Sequence, residues 1–278
     1  MIVTLRSGDW HAVIQTECGA DLLALDYRER DVLIPSSQIT DEKAFSFLHG
    51  SPMLFPANRT CGGRFQFGGR EWKLGINEPE TGAHLHGKLC VQPFEVVRTT
   101  AKSLVVSYEN RREIYPFPFR MTVVYGVREG GFCQQYTLTN TGTAPMPYTF
   151  GLHTTFAVPH YLSVPLQSCQ ERNVQALPTG RYVPLSAEQQ RYAAGMDPSS
   201  VAVSGYYLSG GHTATVGDYR YTVSDAFDHW VLYNGGGNTG FVCVEPLCGA
   251  VNGLNIPDGH HILQPEQQVV FETQITPL

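Results

Sequence analysis

The chain has no run of positive charge. Nineteen lysines and arginines are spread against 25 acidic residues, for a net charge of −6. Nucleic-acid phosphates call for clustered Lys and Arg, so a nucleic-acid partner is not expected. No apolar run approaches the ~20 residues needed to span a bilayer. The opening MIVTLRSGDW lacks a charged segment leading into an apolar core, so no signal peptide is expected. These absences predict a soluble, cytoplasmic protein with no membrane partner. Cysteine is present but unorganised. Seven residues stand at irregular spacing with no C-x-x-C pair, which argues against a zinc knuckle or a dithiol redox site. Also missing are a P-loop, a G-x-G-x-x-G after a strand and a G-x-S-x-G elbow, so nucleotide binding and serine hydrolysis have no support.

Strand signals fill the space those absences leave. Short alternating or apolar segments recur between turn residues, as in SLVVSYE, RMTVVYGVRE, FCQQYTLTNTG, DHWVLYNGGG, GFVCVEPL and QQVVFETQI. Phe132, Gln134, Tyr136 and Leu138 are predicted to share one face, because strand side chains alternate with period two. Regular strands of this kind predict an all-β fold, a large antiparallel sandwich forming one domain over residues 1–278. Tyr115-Pro-Phe-Pro-Phe119 interrupts the pattern, since proline donates no ladder hydrogen bond; it is expected to cross between sheets or rim a cleft. Only two helices are predicted, one over 40–50 and one in SAEQQRYAAG capped by Ser186.

The stretch LFPANRTCGGRFQFGGREWKLGINEPETGAHLHG, residues 54–87, concentrates polar groups on a β-rich segment. Arg59 follows Asn58, and a guanidinium with five fixed donors suits holding hydroxyls or an oxyanion. His84 and His86, two apart, would share a face on an unbroken strand, as in a barrel metal site. No suitable carboxylate follows and Lys88 is near, so no bound metal is expected. His153 lies in FGLHTTF between prolines, a setting that fits an imidazole at a cleft edge and equally a packed strand residue. Glu245 interrupts the apolar strand GFVCVEPL ahead of a proline. It is either exposed at the strand end or desolvated in a pocket, where its pKa would rise towards that of a general base. Trp72 and Trp230 offer faces for stacking on a sugar, or belong to the core.

With these residues assembled, the sequence resembles the aldose 1-epimerase (galactose mutarotase-like) family. The resemblance runs through LFPANR, GGRFQFGG, INEPETGAHLHG, YPFPF, TNTGTAPMPYTFGLHTTF, LPTGRYVPL, HWVLYN, VCVEP and LQPEQQ in that order. It implies a β-supersandwich and an isomerase that interconverts the α and β anomers of a sugar, with no cofactor. It further implies that Glu245 takes the proton of the C1 hydroxyl while His153 protonates the ring oxygen. His86 and Arg59 would orient the sugar and stabilise charge. Asn58, Asn77, His84 and Trp230 complete the candidate sugar-binding set. One departure stands out. The family's sugar-binding aspartate has no counterpart in AVSGYYLSGG, and Asp218 is the nearest substitute, so the resemblance does not fix the sugar. Two alternatives follow. One is a hexose-6-phosphate 1-epimerase-like enzyme using Arg64, Arg70 and Lys88. The other is a non-catalytic carbohydrate-binding or sensing protein. A small-molecule sugar is the expected partner, and a monomer or homodimer the expected assembly.

Overall fold

The computed structural model describes residues 1–36, 47–157 and 159–278. The helix expected over 40–50 falls mainly on 37–46, outside the described residues. The second forms at Ala187–Ala194, with Ser186 and Gln189 in a reciprocal capping box. No helix among the described residues is long and apolar enough to cross a membrane.

Two large antiparallel sheets carry the architecture, as the alternating segments require. One runs in spatial order Glu95–Thr99, Ser103–Asn110, Phe119–Arg128, Gly131–Asn140, Gln268–Pro277, Tyr219–Val223, Thr213–Val216 and Leu162–Ser163. The C-terminal strand Gln268–Pro277 is inserted at its middle, between Gly131–Asn140 and Tyr219–Val223, so the far end of the chain locks the sheet. The other runs Pro178–Val183, Leu166–Arg172, Ser204–Ser209, His229–Tyr233, Phe241–Cys248, Phe150–Leu152 and Met53–Leu54, with Thr155–Ala157 also paired to Phe241–Cys248. A four-stranded sheet of residues 2–31 joins the same core through Leu5, Trp10, Ile14 and Leu25.

The inner faces meet through aromatic side chains. Phe132, Gln134, Tyr136 and Leu138 are all buried, and the residues between them are half-exposed. Tyr136 packs on Phe150 at 5.4 Å between ring centroids, and Tyr221 meets Trp230 edge-on at 6.1 Å. Of its two expected outcomes Tyr115–Phe119 takes the second, since Pro116, Phe117 and Pro118 line a cleft with Trp72 and Pro145. It joins neighbouring strands of one sheet, paired at Asn110 and Phe119, and does not cross between sheets. The Asn110 amide supplies the bonds that the ladder lacks there, donating to the Tyr115 and Phe117 carbonyls. Phe117 packs against Trp72, which places this Trp at the edge of the core and away from Glu245.

Strand parity decides which residues leave the core. Across the second sheet Tyr206, Val231 and Glu245 lie in one register row, while Tyr207, Trp230 and Pro246 lie in the next. Adjacent rows face opposite sides of a pleated sheet. Trp230 therefore points into the sandwich, where its indole N–H donates to the Ser209 hydroxyl and the Gly211 carbonyl. Glu245 points out of the sandwich, into a hollow beneath the 54–87 segment.

Candidate active site

The hollow measures about 260 Å³ and is lined by Asn58, Arg59, His86, His153, Glu245 and, from the sheet, Arg172, Ser204, Tyr206, Val231 and Tyr233. That lies just below the ~300–1,000 Å³ usual for ligand pockets, a size for one small molecule.

Each wall follows from local sequence. Asn58 and His86 both adopt left-handed backbone, and the His86 N–H donates to the Asn58 carbonyl at 2.9 Å. Gly87 makes the approach possible: a Cβ there would stand 1.7 Å from the Phe55 carbonyl oxygen. The H-G pair thus turns the chain back against Phe55 and aims the imidazole inward. The short pairing of Arg59–Cys61 with Ala83–Leu85 brings Glu78 round to Arg59. Arg59 donates from Nε and Nη2 to the two Glu78 oxygens at 2.6 Å each, and from Nη1 to the Tyr206 hydroxyl at 2.9 Å. Tyr206 in turn donates to the Ala176 carbonyl at 3.0 Å. His153 is set by its neighbours. Its N–H donates to the Pro52 carbonyl, and Thr154 bonds the Ser51 and Tyr221 hydroxyls.

The chemistry centres on a close pair. His153 Nε2 lies 3.5 Å from Glu245 Oε1, and both side chains are buried. Glu245 Oε2 and His86 Nδ1 have no hydrogen-bond partner among the described residues. The His86 and His153 rings stand perpendicular, 5.3 Å apart, with Phe47 against both. Burial pushes Glu245 up to about 8, against the opposing pull of Arg59. Burial also lowers His153 to about 4 and drives His86 well below the ordinary imidazole value, the latter helped by His153 and Arg59. Near neutrality the pair accordingly holds one proton and offers one vacant site, which is one acid and one base.

Cys243 joins this pair, and the ligand atoms of His153, Cys243 and Glu245 lie within 4.8 Å of one another. Burial holds the Cys243 thiol well above its ordinary pKa. Metal binding there would have to expel protons from both the thiol and the carboxyl.

Several expected residues lie elsewhere. His84 does not share a face with His86, because the left-handed turn at His86 breaks strand parity; its Nδ1 instead pairs with the Gly75 carbonyl at 2.9 Å. The Asn77 amide bonds both backbone groups of Leu85, bracing the hairpin outside the hollow. Trp230, as above, lies on the wrong face of its strand to stack on a ligand. Asp218 is 76% exposed beside His160 and does not line the hollow. Arg64 is paired at 3.8 Å with Glu71, Arg70 lies over Trp72, and Lys88 is exposed; none reaches the hollow. Arg172, Ser204 and Tyr206 do, although no sequence pattern marked them.

The all-β sandwich is the fold of galactose mutarotase-like proteins. The family model for aldose 1-epimerase matches residues 1–276, and the chain belongs to that family. Among known proteins it is 30% identical over 154 residues to the uncharacterised Escherichia coli protein YihR; the match covers 54% of this chain and 48% of that protein. Its fold is similar to a galactose mutarotase-like protein from Clostridium acetobutylicum, with a TM-score of 0.88 at 19% identity over 99% of this chain and 94% of that one. It is also similar to galactose 1-epimerase from Lactobacillus acidophilus, with a TM-score of 0.76 at 14% identity over 99% and 93%.

Proposed function

We propose that this protein is an aldose 1-epimerase that opens and recloses the pyranose ring of a single sugar. The observation carrying this reading is the 3.5 Å Glu245–His153 pair, buried in the hollow. Ring opening requires one proton to leave the C1 hydroxyl and another to reach the ring oxygen, two oxygens on the same carbon. Glu245 as carboxylate takes the first and His153 as imidazolium gives the second. Rotation about C1–C2 and reclosure with the roles reversed deliver the other anomer. Burial favours the form with the proton on Glu245, which is the form that recloses the ring; opening draws on the tautomer with that proton on His153. Arg59, clamped by Glu78, supplies fixed donors for oxygen that gains negative charge, and His86, held neutral, binds a hydroxyl. Positioned acid and base groups commonly give ~10²–10⁴-fold each.

Optical rotation of freshly dissolved, anomerically pure aldoses tests the reading. The protein should speed the approach to equilibrium for at least one sugar, and Glu245→Gln and His153→Ala should each nearly abolish the effect. Wild-type rates in either variant would refute these roles.

A further inference from the structure

The hollow holds two guanidinium groups that differ in one respect. Arg59 is neutralised by both oxygens of Glu78. Arg172 has no carboxylate partner among the described residues. Its guanidinium lies 5.2 Å from the centroid of the Tyr206 ring, and Nη2 donates to the Ser204 hydroxyl at 2.9 Å. A guanidinium carries five N–H donors, and among the described residues only this bond engages one of them. The strand register is irregular between Gln170 and Arg172, and a bulge of this kind re-aims a side chain. Within the hollow Glu245 is held largely as the neutral acid and His86 and His153 as neutral imidazoles. Among the described residues no carboxylate lies within ion-pair distance of Arg172, and its cationic charge is unanswered by them.

A neutral hexose can use the N–H donors of Arg172 but not its charge. A stacked, half-buried guanidinium with donors to spare matches an oxyanion, to which it gives two parallel charge-assisted bonds. Position sets where on the ligand that oxyanion sits. The Tyr206 strand is two strand spacings, about 10 Å, from the Glu245 strand. The Arg172 strand stands one strand further out still, so an oxyanion it binds lies towards the end of the ring away from an oxygen on C1.

We propose that Arg172 is the specificity residue of this site, selecting sugars that carry a carboxylate or phosphate at the end of the ring opposite C1. The proposal rests on the epimerase reading of the hollow and narrows its substrate class. Charge-assisted bonds to a partly buried site predict a preference of about ten- to a hundredfold.

The test uses matched probes on the full chain: glucose and galactose, their C6 carboxylates glucuronate and galacturonate, and their 6-phosphates. Binding is measured by NMR titration, and anomer exchange by optical rotation on the same samples. Wild-type protein should bind at least one anionic series tenfold or more tightly than the matching neutral hexoses, and the preference should shrink as salt is raised. Preference for uronates alone assigns a carboxylate, and for 6-phosphates alone a phosphate ester. Arg172→Met should erase the preference and Arg172→Lys should keep part of it. Denaturation midpoints identify a variant that has simply unfolded, in which case Arg172→Lys and the wild-type panel decide. Equal binding of neutral and anionic probes, or an equal loss for both in Arg172→Met, overturns the proposal. Faster exchange of neutral than of anionic anomers overturns it while leaving the epimerase reading intact. Charge-selective binding with no anomer exchange for any sugar supports the role of Arg172 and overturns the epimerase reading.

Discussion

Replacing Glu245 by glutamine should make the protein more stable, by an amount that grows with pH. Burial raises the Glu245 pKa from an ordinary value of 4.5 to about 8. A factor of ten in proton affinity corresponds to about 1.4 kcal/mol, so holding the ionised carboxylate in the fold costs on the order of 5 kcal/mol. Below about pH 4.5 the group is protonated in both folded and unfolded chains, and the cost is absent. As pH rises the unfolded chain releases the proton first, so wild-type stability falls; the full loss is reached above about pH 8. At pH 7 about 3 kcal/mol of the cost is already in place. Glutamine keeps the shape and cannot ionise, so its curve lacks this slope. Urea denaturation of both proteins from pH 5 to 9 measures the effect, because titrating groups not coupled to Glu245 cancel in the difference. A gap that widens by several kcal/mol supports a desolvated carboxylate. A gap constant to within about 1 kcal/mol across that range would refute it.

If the singly protonated pair is the working form, kcat/KM should be flat between about 5 and 7 and fall above about pH 8 as Glu245 loses its proton. On the acid side it should fall only near 4, where His153 charges; these limbs belong to the pair and not to either residue alone. Glu78→Gln should lower kcat/KM about tenfold or more and destabilise by about 2 kcal/mol, because it leaves a largely buried Arg59 without its counter-charge. Steady-state kinetics and denaturation check the two effects separately. Trp230→Phe should cost about 1–3 kcal/mol through the lost volume and indole bonds, with an unchanged KM for the sugar, because the ring faces the core. A raised KM at wild-type stability would return Trp230 to the site.

The fold was legible because the long strands of the first sheet bury one face and leave the other half-exposed. The alternation from Phe132 to Leu138 states which side faces in, and the bracketing turns state where strands end. The site was legible where a residue broke its local pattern. Glu245 stands out as a carboxylate in an apolar strand, and its burial settles which of two environments it occupies. His84 and Trp230 were misplaced for a related reason. Parity from His84 to His86 fails at a left-handed residue that only the close approach of Gly87 to Phe55 explains. For Trp230, the sequence shows alternation within its strand but not which face meets the other sheet. Arg172, Ser204 and Tyr206 carry no local signal, since their place depends on the register of Leu166–Arg172 against Ser204–Ser209. Glu78 lay in a noted motif, yet its role needed the pairing of Arg59–Cys61 with Ala83–Leu85.

Two-dimensional exchange NMR of the C1 protons of an equilibrated sugar reads the proposed reaction without any coupled assay. Wild-type protein should produce cross-peaks between the α and β signals that scale with enzyme concentration, while Glu245→Gln leaves the spectrum of the sugar alone. Equal cross-peaks from the two proteins, on a sugar that both bind, would contradict an acid–base pair at Glu245 and His153.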